Sequence, residues 1–192
     1  MHLISYVFKG TANFMACEVE VQRYIFFQEP IEDFPTKRQL FHFNPLHDLE
    51  SWWWILNWVL HYHVDSTSQT LPPGHDEQFQ VCFPGLSLAP GKSRVDVLLI
   101  QMIAETFPTS FRTTAARLNE MRKTLVKSYE AAEETLPVEY RAPSTKLCQF
   151  MLTSIQRARK EVGSVALKPS HHVGKHQAEH STLLTAKRRK EE

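Results

Sequence analysis

A mainly α-helical single domain followed by a basic tail is what this sequence predicts, on three observations. Between Leu46 and His63, apolar and aromatic residues recur at helical spacing on nearly every side. Three stretches further along repeat apolar residues every three or four positions, each opened or closed by a helix start or stop signal. From Gly163 onward that period fades, and six Lys/Arg stand against three Glu. The domain is therefore expected to span residues 1–162. The tail, residues 163–192, is expected to be disordered, because it cannot bury enough apolar surface to offset the entropy of ordering.

Taken in order, His2–Phe8 is apolar and aromatic and reads as a short extended segment. Gly10-Thr11 interrupts it. Phe14–Phe27 is compatible with a poor helix or a short strand, since periodicity does not separate the two. Pro30, Pro35 and five charged residues make Glu29–Arg38 a loop. Asn44-Pro45 marks a helix entrance, because Asn caps well and Pro suits the first turn. In the helix that follows, Leu49, Trp52, Trp53, Leu56, Val59 and Leu60 recur at helical spacing, with Trp54, Ile55 and Trp58 on the remaining sides. A helix apolar nearly all round belongs in the middle of a domain. Asp48 and Glu50 in its first turns suit the helix dipole.

Asp65–Pro90, with Pro72-Pro73-Gly74 and Pro84-Gly85, reads as one long connection. Ser93 and Asp96 resemble a capping box opening a second helix, with Val95, Leu98, Leu99, Met102, Ile103 and Thr106 inward. A third helix starts near Thr113 or Thr114, faces inward with Leu118, Met121, Leu125, Tyr129 and Ala132, and stops before Pro137. A fourth opens at Ser144 after Pro143, carries Leu147, Phe150, Met151, Ser154, Ile155 and Ala158, and ends at Gly163.

The net charge of +1 argues against a global field for nucleic acid or an anionic membrane. The most apolar run, Trp52–Leu60, falls far short of the ~20 residues needed to span a bilayer. His2–Phe8 lacks the length and flanks of a secretory leader. An intracellular protein is expected, cytoplasmic or nuclear, the basic cluster Lys187, Arg188, Arg189 and Lys190 being compatible with nuclear import. Cys17, Cys82 and Cys148 are too few and too widely spaced for a disulfide framework or a zinc knuckle, and read as buried free thiols. His61 and His63 fall on different sides of a helix, and no acid or Cys at ligand spacing joins them, so no metal site is expected. The Trp52-Trp53-Trp54 run reads as core rather than as a ligand platform. The tail histidines His171, His172, His176 and His180 read as solvated.

Two motifs carry a resemblance. Gly10-Thr11-Ala12-Asn13-Phe14-Met15-Ala16-Cys17-Glu18 resembles the end of a kinase activation segment, G-T-x-x-Y-M-A-P-E, with Cys17 in place of Pro. His47-Asp48-Leu49-Glu50-Ser51, followed by the Trp-rich helix, looks like the H-D-L-E-S of the fungal-type protein kinase family. The resemblance covers Gly10–His63 and implies the helical C-terminal lobe of a protein kinase, beginning at the activation segment. By this resemblance Gly10, Thr11 and Glu18 are activation-segment supports, Thr11 helping to align the catalytic Asp. Asp48 is implied to hold the catalytic loop, and Glu18 to form a buried ion pair with an Arg, for which Arg141 is a candidate.

The family activity is ATP- and magnesium-dependent phosphoryl transfer to protein Ser/Thr. That chemistry needs a Gly-rich loop, an ATP-contacting Lys, a catalytic Asp and Asn, and a metal-binding Asp. None of H-R-D, D-F-G or G-x-G-x-x-G occurs in the sequence, and the nine residues before Gly10 contain no Asp, Asn or Gly. The reading is thus of a kinase-like fragment inactive alone, with no catalytic, ATP-binding or metal residues and no cofactor of its own. The alternative is a non-catalytic helical interaction module. Protein partners through an exposed lobe surface are compatible with either.

Overall fold

Asn44 and Pro45 start the central helix as their chemistry dictates. In the computed structural model, which describes residues 12–26, 41–68, 70–83, 94–99, 104–134, 139–162 and 165–169, Pro45 is the first residue of that helix. The Asn44 side chain accepts the Leu46 N–H at 2.9 Å. The Asn44 N–H in turn donates to His47 Nδ1 at 3.1 Å, so His takes the place that Glu or Gln holds in an ordinary capping box.

The elements are α1 (Cys17–Val21), α2 (Pro45–Tyr62), β1 (His63–Asp65), α3 (His75–Cys82), α4 (Arg94–Leu99), α5 (Arg112–Glu133), α6 (Arg141–Val162) and β2 (Leu167–Pro169). Short 3-10 turns occupy Ala12–Phe14, Ala104–Thr106 and Thr109–Phe111. The fold is mainly helical, as expected. Helices α5 and α6 pack along each other, and α2 lies against both. The core between them is built from Leu46, Trp53, Trp54, Leu118, Leu125, Tyr129 and Leu147, all at most 3% exposed. Each such side chain contributes roughly 1.5–3 kcal/mol of burial.

The inner face of α2 differs from the predicted one. Leu46, His47, Glu50, Trp53, Trp54, Asn57 and His61 are buried, whereas Leu49, Leu56, Val59 and Leu60 are only partly so and Trp52 is 59% exposed. A helix apolar nearly all round offers no polar minimum to orient it, and here its polar residues are the ones turned inward. Trp53 and Trp54 are core as expected; Trp52 is not.

Four other expectations change. The ambiguous Phe14–Phe27 stretch is helical at α1, ended by Gln22 in the left-handed region at φ 55°. The long connection after Asp65 contains α3, which starts when Gly74, at φ 78°, turns the chain after the two prolines. His75, the first residue of α3, spans the carbonyls of Thr106 (2.9 Å) and His61 (3.2 Å). Helix α6 begins at Arg141, with Pro143 inside its first turn, where a missing N–H costs nothing. Finally, the chain beyond Gly163 is not all tail. Leu167–Pro169 pairs antiparallel with His63–Asp65, and Lys168 Nζ donates to the Ser68 carbonyl at 2.8 Å.

Helix α5 starts one or two residues earlier than predicted and keeps its predicted face. Met102 and Ile103 of the second helix, Ser93 of its cap, His2–Phe8, and the tail histidines and basic cluster lie outside the described residues. All three cysteines are free; Cys17 and Cys82 are buried, but Cys148 is exposed on α6. No described helix is long and apolar enough to cross a membrane.

Candidate functional site

The N-terminus of α2 is where the two sequence motifs meet. Helix α1 begins without a side-chain cap, because Ala16 has none to offer. Its first amide, Cys17 N–H, is instead taken by Glu50 Oε1 of α2 at 2.8 Å. Glu50 also accepts from Trp54 Nε1 one turn on (3.0 Å) and from the Tyr129 hydroxyl of α5 (2.8 Å). One fully buried carboxylate thus joins three helices through three donors. Burial, reinforced by the Glu50 charge, holds the Tyr129 phenol and the Cys17 thiol well above their ordinary pKa values. Both stay protonated, so Cys17 is no nucleophile.

Glu18, also fully buried, faces the other side of the cap. Its Oε1 accepts Ile25 N–H at 2.7 Å, because the left-handed Gln22 folds the chain back over α1. Its Oε2 lies 3.0 Å from His47 Nε2. The protons on that imidazole follow from its other side. His47 Nδ1 already accepts the Asn44 backbone N–H, so the ring is neutral and carries its hydrogen on Nε2. The Asn44 amide nitrogen, 2.9 Å from Nε2, cannot accept it, and the Glu18 oxygen can. The contact is a neutral donor to a carboxyl rather than an ion pair. Burial lowers the His47 pKa from 6.5 to about 4 against the pull of Glu50 and Asp48. Burial likewise raises the Glu18 pKa to about 7, opposed by hydrogen bonds from the Glu133 side chain and the Ile25 amide. Glu133 itself accepts Phe26 N–H at 3.0 Å, and the Phe26 ring stacks on Tyr129 at 5.2 Å.

These groups exclude water and satisfy backbone donors at an irregular turn. They clamp the segment after α1 onto the bundle. Among the described residues no group of three or more His, Cys, Asp or Glu could hold a metal ion. His61 is buried with Nδ1 at 2.9 Å from the Asn57 carbonyl, and His63 Nδ1 lies 3.1 Å from the Val59 carbonyl; each ring turns back to a carbonyl of α2.

Of the residues singled out from the sequence, Gly10 and Thr11 lie outside the described residues. Glu18 is at the centre of the cluster. Asp48 is exposed in the first turn of α2, beside an open groove of about 590 Å³ that Trp52 and Cys148 also line. Arg141 is exposed at the start of α6, and among the described residues it is His47 that meets Glu18. Sequence reasoning passed over Glu50, Glu133 and the pairing role of His47. One signal for Glu50 was available: Glu50, Trp54, Asn57 and His61 share a single helical stripe, a spacing that puts polar residues on the Trp54 face. Glu133 carried none, since its partner Phe26 N–H is 107 positions away.

The chain matches no protein-family model, no curated protein and no solved structure.

Proposed function

We propose that this chain carries the C-terminal-lobe portion of a fungal-type protein kinase-like fold and serves as scaffold rather than catalyst. One observation carries the reading. The end of the activation-segment-like motif is anchored on the H-D-L-E-S motif, through Glu18 to His47 at 3.0 Å and Cys17 N–H to Glu50 at 2.8 Å. Two motifs about thirty residues apart that were matched separately behave as one structural unit. The departure from the resemblance is the partner of Glu18, a neutral imidazole where the family places an Arg. The 192 residues hold none of the H-R-D, D-F-G or G-x-G-x-x-G groups that phosphoryl transfer requires.

The test has two arms. Thermal unfolding with and without ATP–magnesium, beside incubation with labelled ATP, should give no shift and no labelled chain; either signal would overturn the scaffold reading. An experimental structure in which α1 packs away from the N-terminus of α2 would overturn the kinase-lobe reading. A second reading, a helical interaction module, is favoured by the groove beside Asp48, whose rim exposes Trp52 (59%) and Leu152 (57%). A partner captured by the chain and lost on Trp52→Ala is its expected signature.

A further inference from the structure

The other end of α2 is built on opposite lines. A cavity of about 360 Å³ opens between α2, α5, α6 and β2. That is within the roughly 300–1,000 Å³ typical of small-ligand sites. Its inner walls are apolar: Leu56 and Leu60 of α2, Leu118 and Met121 of α5, Ile155 and Ala158 of α6. Water is poorly held in such a space, because each molecule needs two to four polar partners.

The polar residues among the lining are His63 of β1, Thr114 and Arg117 of α5 and Arg159 of α6. Thr114 and Arg117 lie in the first two turns of α5, and Arg159 in the last turn of α6, which the pairing of the two helices brings alongside. Met121, Leu56 and Ile155 come one or two turns further in. Among the described residues no acidic one lines the cavity. Arg159 is exposed, while the Thr114 hydroxyl is buried and makes no hydrogen bond. The Thr114 hydroxyl has no accessible surface, so Thr114 lines the cavity with its other atoms and the cation at the rim is Arg159.

We propose that this cavity binds a medium-chain fatty carboxylate, with its head at Arg159 and its chain running inward toward Met121. Guanidinium matches a carboxylate in shape and charge. Leu, Ile and Met walls adapt to a flexible aliphatic chain. The site is separate from the carboxylate cluster and does not rest on the kinase-like reading.

Titration calorimetry of the full chain with sodium decanoate below its micelle concentration, beside decanol and butyrate, tests this. One saturable decanoate site is expected, with decanol and butyrate each weaker by about tenfold or more. Arg159→Gln should weaken decanoate about fivefold and leave decanol unchanged. Ala158→Phe should fill the cavity and abolish both. Should that variant fail to fold, Ile155→Trp serves instead, with decanoate and decanol both weakened about threefold or more. The proposal falls if decanoate gives no saturable heat, if decanol binds as tightly, or if Arg159→Gln changes nothing. It falls equally if the cavity proves to be closed by a second copy, seen as a dimer that Ala158→Phe dissociates.

Discussion

The two ends of helix α2 solve different problems. At its N-terminus an amide, an indole and a phenol all donate to one buried carboxylate, Glu50. At its C-terminal half, next to the cavity, the walls are apolar and the buried Thr114 hydroxyl is left without a bond. A paired buried polar cluster is costly to disturb because each lost partner strands another group. An underfilled apolar site tolerates change, since little contact is lost. The same helix is thus pinned at one end and has room at the other.

The largest expected effect breaks the pinned end. Glu50→Leu removes the acceptor of three buried donors, and should cost about 3–5 kcal/mol in urea unfolding at pH 7. Glu50→Gln keeps one acceptor oxygen and should cost less.

The next effect depends on pH. Glu18, raised from 4.5 to about 7 by burial, binds its proton more tightly folded than unfolded. Its contribution is fully present below pH 4.5 and is lost as the pH rises through 7. His47, lowered from 6.5 to about 4, behaves in the opposite sense: its contribution is present above pH 6.5 and is lost as the pH falls through 4. In the native chain the two slopes oppose each other, so stability should be nearly flat between pH 4.5 and 6.5. His47→Gln should expose the Glu18 fall between pH 4.5 and 7, and Glu18→Gln the His47 rise between pH 4 and 6.5. Each swing should be on the order of 2–3 kcal/mol in denaturation midpoints taken across that range. Parallel slopes in the two variants would refute the assignment of a neutral imidazole donating to Glu18.

Smaller still, the two ends can be compared by deleting one hydroxyl from each. Tyr129→Phe removes a donor to Glu50 and should destabilise by about 1–2 kcal/mol. Thr114→Val removes a hydroxyl with no partner, and should be neutral or stabilising by up to ~1 kcal/mol in the same unfolding assay. Equal losses at both sites would erase the distinction between them.

Much of this architecture was legible locally. Asn44-Pro45 located the start of α2 to within a residue, and the inward face of α5 from Leu118 to Ala132 was read correctly, because caps and periods are properties of short segments. The orientation of α2 was not legible. Apolar residues surround it, and only its neighbours settle that Glu50 and His61 turn inward while Trp52 faces out. Helix α3 was hidden behind two prolines and a glycine that signal a loop. Strand β2 was hidden in a stretch whose composition resembles a tail, because its partner β1 lies about a hundred residues earlier. The importance of Glu18 came from its motif; its actual partner came only from the fold.

By itself the sequence determined that this would be a mainly helical protein and where α2 and α5 lie to within a residue or two, and it contains no H-R-D, D-F-G or G-x-G-x-x-G motif. Tertiary structure alone decided which polar residues are buried and what each one meets. The reason is range. Caps, turns and amphipathic periods act over a few residues, whereas the hydrogen bonds Glu18–His47, Cys17–Glu50, Tyr129–Glu50 and Phe26–Glu133 join residues 29 to 107 positions apart.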